Sequence, residues 1–256
     1  MSSGLELKDV TIRFGGLKAV GDLSFGVGQG ELVGLIGPNG AGKTTVFNLI
    51  TGVYTPTAGQ IHFEGISVPG KKPHEITRMG IARTFQNIRL FSSLSVLDNV
   101  RAAMMTHLKR GILHSLTRGP VFQKEEAAIE AEALELLDIF GLADARDKNA
   151  KDMNYGDQRR LEIVRALATK PKLLLLDEPA AGMNPSEKDD LMNLIRFIKE
   201  RYNLAVLLVE HDMKVVMGIC ERIAVIEYGC KIAEGTPKQI QCDPKVIEAY
   251  LGVAAE

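Results

Sequence analysis

A glycine-rich segment between an apolar run and a predicted helix most constrains what this chain can fold into. It matches the phosphate-loop pattern Gly-x-x-x-x-Gly-Lys-Ser/Thr at every specified position. Its residues are Gly37, Pro38, Asn39, Gly40, Ala41, Gly42, Lys43 and Thr44. Residues 31–36 before it are apolar on both faces, which is typical of a central strand, and residues 45–50 after it predict a helix. The context of the motif therefore fits a strand, a phosphate loop and a helix.

The residue types in this loop suit a nucleotide. Glycines let backbone N–H groups surround phosphate oxygens, and the following helix directs its positive N-terminus at the same anion. We expect Lys43 to reach the β and γ phosphates and the Thr44 hydroxyl to ligate Mg²⁺. Thr45, at the start of the helix, completes the predicted binding set. The alternative is a chance glycine-rich turn.

A second apolar run, residues 172–176, ends in the adjacent acids Asp177 and Glu178. Acids at the end of a buried strand are costly unless they serve metal or proton chemistry. Asp177 suits a Mg²⁺ partner, and Glu178 suits a general base that polarises an attacking water. A surface turn that starts with Asp-Glu-Pro is the alternative interpretation.

Strand and helix patterns alternate along much of the chain. Apolar runs at 204–209 and 223–226 resemble those at 31–36 and 172–176, with helical patterns at 125–140 and 186–202 between them. This order predicts a parallel α/β sheet. Apolar residues roughly alternate over 5–14, which favours an antiparallel sheet, and residues 91–168 contain helix formers without a strand pattern. The latter predict a helical insertion with a loop near 118–120.

Charge and composition narrow the class of partner and the location. The formal net charge is −1, from 31 basic and 32 acidic residues, so we expect no nucleic-acid partner. The start has no pattern of a secretory signal, and no apolar run approaches the ~18 residues of a membrane span. We therefore expect a cytoplasmic chain. The 3 cysteines are far apart, which favours reduced thiols.

Taken in order, the motifs resemble the ATP-binding cassette (ABC) ATPases from about residue 5 to 235. Residues 83–86 are similar to the Q-loop of this family, and residues 153–160 lie in the position of its signature motif. Residues 181–184 lie in the position of the D-loop, and His211 lies in the position of the switch histidine. The resemblance implies ATP and Mg²⁺ as ligands. It also implies that Gln86 contacts Mg²⁺ and the attacking water, and that His211 contacts the γ-phosphate.

The resemblance extends to adenine recognition and to a partner's ATP. Phe14 lies where the family has an aromatic residue that stacks on adenine, although a strand residue in the core is the alternative. Asn154 and Gly156 lie at the positions where, in this family, the signature segment contacts the ATP bound by the other subunit of a head-to-tail dimer. The implied fold is a P-loop NTPase with a RecA-like parallel core, an N-terminal antiparallel β subdomain and an inserted α-helical subdomain. The single domain 1–256 then has its core at about 5–87 and 169–235, its helical part at about 88–168 and a tail at 236–256.

Two segments depart from the family pattern. The signature Leu-Ser-Gly-Gly-Gln is changed at Asn154, Tyr155 and Asp157, and the D-loop aspartate is Asn184. Asp157 brings negative charge near a polyanion unless it points away. We therefore hypothesise that the chain pairs with a second, different ATPase and that the two composite sites are unequal.

The amino-acid sequences of several motifs are similar to those of the branched-chain amino-acid uptake (LivG-like) ATPases. The similar segments are 83–91, 154–156, 178–185, 210–213 and 243–252. The resemblance implies two permease subunits, a second cassette ATPase, an extracytoplasmic solute-binding protein and a peripheral place on the cytoplasmic face of the inner membrane. Residues 87–91, Leu94, Val96 and Leu97, beside Arg83 and Arg89, are expected to hold a permease helix. The alternative for this segment is that it packs on itself. The alternatives are a lipopolysaccharide-export ATPase and a soluble ATPase of iron–sulfur cluster assembly.

Overall fold

The structure, a computed structural model, describes residues 4–107 and 120–251. The chain divides into two compact units. The first contains the residues up to Arg83 and those from Lys172 onward, and the second contains Thr84–Pro171. These divisions lie a few residues from the sequence-based boundaries at 87/88 and 168/169.

The first unit is built on a 6-stranded sheet in the order β10-β9-β3-β8-β7-β6. Its strands are β3 Leu32–Ile36, β6 Ile81–Arg83, β7 Leu173–Asp177, β8 Ala205–Val209, β9 Arg222–Glu227 and β10 Cys230–Gly235. The strands from β9 to β6 are parallel, and β10 is an antiparallel edge. Every residue of β3, β7 and β8 is buried, as apolar runs covered on both faces require. The predicted parallel core is confirmed.

A second sheet of the first unit is antiparallel, in the order β2-β1-β4-β5. Its strands are β1 Leu5–Phe14, β2 Leu17–Val27, β4 Ala58–Phe63 and β5 Ile66–Ser67. In β1, Leu5 and Leu7 are buried, and a register shift before Val10 changes the alternation. Asp9 has φ of 48° at this shift. The irregularity explains why the predicted alternation over 5–14 is only approximate.

The first unit also contains the helices that flank the central sheet. They are α1 Lys43–Ile50, α2 Pro73–Met79, α6 Pro185–Tyr202, α7 Met213–Ile219, α8 Pro237–Gln241 and α9 Pro244–Leu251. The predicted tail therefore folds in part as α8 and α9. Buried side chains of both sheets and α1 form one apolar cluster that includes Phe47 and Phe63.

The second unit contains helices and no strand in its described parts, 84–107 and 120–171, apart from one isolated bridge between Ser95 and Asn149. Its helices are α3 Val96–Met104, α4 Pro120–Ile139 and α5 Tyr155–Ala168, with short 3-10 turns at Met105–His107, Ala143–Ala145 and Ala150–Asp152. The helical insertion is confirmed. Residues 118 and 119 of the predicted loop lie outside the described residues, and α4 begins at Pro120.

Candidate functional site

The phosphate loop connects β3 to α1 and requires glycine at defined positions. Gly37, Gly40 and Gly42 have φ of 153°, 80° and 103°. A Cβ on Gly37 would lie 2.0 Å from the Ile226 carbonyl oxygen, and one on Gly42 would lie 2.8 Å from that of Ala19. The backbone therefore excludes a side chain at both positions.

The N-terminus of α1 is open to an anion. Gly42 caps α1 without a side-chain acceptor, and the first turn has no acidic residue. Helix N–H groups without a side-chain cap are partners for phosphate oxygens. Thr44 is exposed and Thr45 is half-buried at the start of this helix. Both hydroxyl residues thus lie where the sequence places the phosphates.

Lys43 is buried within its own loop. Its Nζ donates to the carbonyl oxygens of Gly37 at 2.6 Å and Pro38 at 2.9 Å. Burial lowers the pKa of Lys43, and the charges of Glu178 and Asp177 oppose that shift. The influence of these two acids links the end of β7 electrostatically to the phosphate loop.

Asp177, the last residue of β7, pairs with a residue whose role sequence reasoning missed. Arg83 donates from one guanidinium nitrogen to Asp177 Oδ2 at 2.7 Å and from another to Asn48 Oδ1 at 2.7 Å. The Arg83 side chain is 7% exposed and also lies 5.2 Å from the centre of the Phe47 ring. Arg83 therefore supports the end of β7, and its predicted place in a permease surface is wrong.

The donor set fits Mg²⁺ bound together with phosphate. Thr44 and Asp177 offer hydroxyl and carboxylate oxygens, the hard ligands that Mg²⁺ prefers. Within residues 4–107 and 120–251, no group of three or more His, Cys, Asp or Glu side chains is arranged to hold a metal by itself. A protein that supplies one or two ligands and leaves the rest to phosphate and water suits this ion.

Glu178 and His211 come together at the ends of β7 and β8. The distance from His211 Nδ1 to Glu178 Oε1 is 3.7 Å, which is longer than a hydrogen bond. The Glu178 side chain is 19% exposed and that of His211 is 61% exposed. Glu178 has φ of 48°, a left-handed backbone that is strained for a non-glycine residue.

Phe14, at the end of β1, is 44% exposed. Its ring meets Tyr54 edge-on, with centroids 5.1 Å apart and planes at 70°. The alternative of a core residue is therefore wrong. An exposed aromatic face is suited to stacking on a base.

Three predicted site residues, Gln86, Asn154 and Gly156, belong to the second unit. Gln86 is exposed, while its backbone is held by α5, whose Arg159 donates to the Gln86 carbonyl oxygen. Glu162 accepts the backbone N–H groups of Phe85 and Arg89, each at 3.2 Å. Burial raises the pKa of Glu162, and these N–H groups oppose the shift. The Q-loop backbone is thus fixed by buried residues that no motif pattern singled out.

The altered signature forms the cap of α5. Asn154 accepts from the backbone N–H of Asp157 at 2.8 Å and donates its amide to Asp157 Oδ2 at 2.7 Å. The Tyr155 ring is exposed, and its hydroxyl accepts from Arg159 at 2.8 Å. Gly156 is half-buried in the first turn. Asn154 and Asp157, the polar replacements, therefore satisfy each other.

The predicted permease surface is smaller than the sequence indicates. Phe91 and Leu94 are 51% and 38% exposed. Val96 is fully buried in the second unit, so its predicted place on this surface is wrong. Arg165 lies 4.8 Å from the centre of the Phe91 ring and donates to the Arg89 carbonyl oxygen.

No helix within residues 4–107 and 120–251 has the length and apolar character needed to cross a bilayer.

Sequence comparisons find close relatives across the whole chain. The branched-chain amino acid transport ATP-binding proteins BraF of Pseudomonas aeruginosa and LivG of Escherichia coli (strain K12) are 46% and 45% identical over 250 residues, which cover 98% of this chain and of each relative. The lipopolysaccharide export protein LptB of E. coli (strain K12) is 36% identical over 248 residues, 97% of each chain.

Solved structures share the fold. An ABC transporter cassette in its ADP conformation has a TM-score of 0.84 at 32% identity, and the match covers 99% of this chain and 100% of that one. A dimeric post-hydrolysis cassette bound to ADP and Pi has a TM-score of 0.77 at 25% identity and covers 91% and 98%.

Two family descriptions match the chain directly. Residues 20–181 match "ABC transporter", and residues 230–256 match "branched-chain amino acid ATP-binding cassette transporter". The first match spans more than half of the chain and contains the phosphate loop, Gln86, Asp177 and Glu178. The chain therefore belongs to the ABC transporter family, as one of its ATP-hydrolysing cassettes.

Proposed function

We propose that this chain is the ATP-binding and ATP-hydrolysing subunit that energises the import of branched-chain or related amino acids through a membrane ABC transporter. The observation that supports ATP hydrolysis best is the convergence of Asp177, Glu178 and His211 beside the loop of Lys43. The solute follows from the relatives named for branched-chain amino acid transport, which match 98% of the chain.

In the proposed reaction, Glu178 is the general base that polarises the attacking water, and His211 contacts the γ-phosphate. Lys43 leaves its loop carbonyls to bind the β and γ phosphates, and Phe14 stacks on adenine. Thr44 and Asp177 would hold Mg²⁺, with Gln86 as the further ligand that the family resemblance implies. When bound, the ion would neutralise charge on the phosphate oxygens. Backbone N–H groups of residues 39–45 complete the phosphate site.

A second cassette ATPase is proposed as the direct partner, in a head-to-tail pair. Asn154 and Gly156 would then face the ATP held by that partner. Because Asn154 and Asp157 bond to each other, fewer donors are free for that ATP than in the family signature. We infer that the two ATP sites are unequal.

The remaining partners are two permease subunits, with a solute-binding protein acting on the other side of the membrane. The exposed pair Phe91 and Leu94 offers apolar surface to a permease helix, with Arg165 beside it. The chain would lie peripherally on the cytoplasmic face of the inner membrane. Lipopolysaccharide export is disfavoured because LptB is 36% identical, against 46% and 45% for BraF and LivG.

Mass spectrometry of proteins that copurify with Glu178→Gln tests this proposal. The variant is purified from detergent-solubilised native membranes with ATP and Mg²⁺, because loss of the base should trap the ATP-bound state. Permeases of the amino-acid uptake class and a second cassette ATPase are expected, and Lys43→Ala under the same conditions is the control. Only soluble scaffold proteins, or permeases of lipid export, would overturn it.

A further inference from the structure

A buried carboxylate beside the switch histidine has no part in the chemistry described above. Glu210 follows β8, directly precedes His211 and is 1% exposed. Burial raises the pKa of its carboxyl, and backbone N–H groups of Ala180, Asp212 and His211 oppose that shift. An acid in such a place is costly unless its oxygens are satisfied.

The two oxygens of Glu210 bond to two different loops. Oε1 accepts the backbone N–H of Ala180 at 2.8 Å, in the loop that follows β7. Oε2 accepts the N–H groups of His211 at 3.1 Å and Asp212 at 3.4 Å, in the loop that follows β8. One side chain thus bridges the loop of Glu178 and the loop of His211.

Glu178 lies two residues before one end of that bridge. Its backbone is left-handed, with φ of 48°, and its N–H donates to the Val209 carbonyl oxygen at 2.8 Å. A strained residue keeps its conformation only when its surroundings fix it. The second attachment, from Ala180 to Glu210, lies two residues further along the loop. The 3.7 Å separation of Glu178 and His211 requires both loops to keep their relative position.

We propose that Glu210 is a positioning residue for ATP hydrolysis, which holds Glu178 and His211 in register across the ends of β7 and β8. The proposal rests on the roles given above to Glu178 and His211. Displacement of a reacting group by about 1 Å costs up to 100-fold in rate. Loss of the bridge should therefore lower kcat and leave ATP binding, which depends on the phosphate loop, unchanged.

Glu210→Gln tests this with the full-length chain purified together with its copurifying partners. Gln has the same shape but only one acceptor oxygen, and its NH₂ group then faces an N–H donor. We expect kcat to fall about 10-fold or more while KM for ATP changes less than about twofold. Glu31→Gln is the control, because Glu31 also accepts a backbone N–H, from Gly28 at 2.8 Å, and pairs with Arg222, but lies at the opposite end of β3 from the phosphate loop. Its kcat should not change.

A double-mutant cycle separates positioning from general stabilisation. If Glu210 acts through His211, then Glu210→Gln adds little to the loss already caused by His211→Ala. Rates are normalised to ATP-binding molecules, and Glu210→Asp, which keeps the charge on a shorter side chain, should also lose kcat. The proposal would be overturned if Glu210→Gln lowered the melting temperature but left kcat unchanged. It would also be overturned if the losses in kcat of the two single variants multiplied in the double variant. Normal hydrolysis by Glu178→Gln or His211→Ala would instead refute the roles of those residues.

Discussion

The phosphate site of the first unit and the signature segment of the second differ in how closely they keep their family patterns. In the phosphate site, a Cβ at Gly37 or Gly42 would collide with a backbone oxygen, so the fold requires glycine at these two positions of the motif. In the second, Asn154 and Asp157 replace the usual residues and form a helix cap with each other. Motif residues are thus retained where backbone geometry leaves no choice, and altered where the segment can satisfy its own polar groups.

The largest expected effect tests the chemistry of the first unit. Glu178→Gln should lower ATP hydrolysis by at least about 100-fold because the general base is lost, while ATP affinity is kept. Steady-state ATPase rates and ATP titrations of the two proteins measure this. Glu200→Gln, an exposed residue near the end of α6, should retain full activity. Comparable turnover in Glu178→Gln and wild type would remove Glu178 from the role of base.

The next effect concerns the stability of the first unit. Arg83→Met should lower the free energy of unfolding by about 3–5 kcal/mol, because Asp177 loses a buried ion-pair partner at 2.7 Å. Urea denaturation measures this. The control is Arg196, an exposed residue of α6 whose guanidinium bonds to Asn193 and Gly218. Arg196→Met should cost less than about 1 kcal/mol. Equal losses would show that the Arg83 pair has no special role.

Lys43→Ala should weaken ATP binding about 10- to 100-fold, because charge-assisted hydrogen bonds to phosphate are worth about 1.5–3 kcal/mol. Displacement of a fluorescent nucleotide measures Kd. Lys245→Ala, on the exposed part of α9, is the control and should bind as wild type. An unchanged Kd in Lys43→Ala would contradict the assignment of the phosphate loop.

The smallest effect belongs to the second unit. Asn154→Ala should cost about 1 kcal/mol of stability through loss of the α5 cap, while the chain's own ATP affinity stays constant. Asn154→Ser, which keeps a capping oxygen, should lose only a few tenths of a kcal/mol. Thermal unfolding and ATP titration measure the two quantities. An equal loss of stability in Asn154→Ala and Asn154→Ser would show that Asn154 does not stabilise the protein as a helix cap.

Local patterns predicted β1, β3, β7, β8 and β9, the helices α1, α4 and α6, and the phosphate loop, because each depends on neighbours in sequence. They did not single out β2, β4, β5, β6 or β10. The contacts that fix the site join residues that are far apart in sequence. Arg83 and Asp177 are 94 positions apart, and Glu210 bonds to Ala180 across 30 positions. Val96 shows a related limit, since an apolar residue near exposed ones gives no sign of which way it faces. In these cases the tertiary fold, and not the local pattern, decides the partner.

Uptake of radiolabelled leucine tests the central claim most directly. Cells that lack this gene are complemented with wild type or with Glu178→Gln, and initial uptake rates are compared at equal protein levels. The account predicts that wild type restores uptake and that Glu178→Gln does not. Uptake that is the same with and without the gene would contradict the import function.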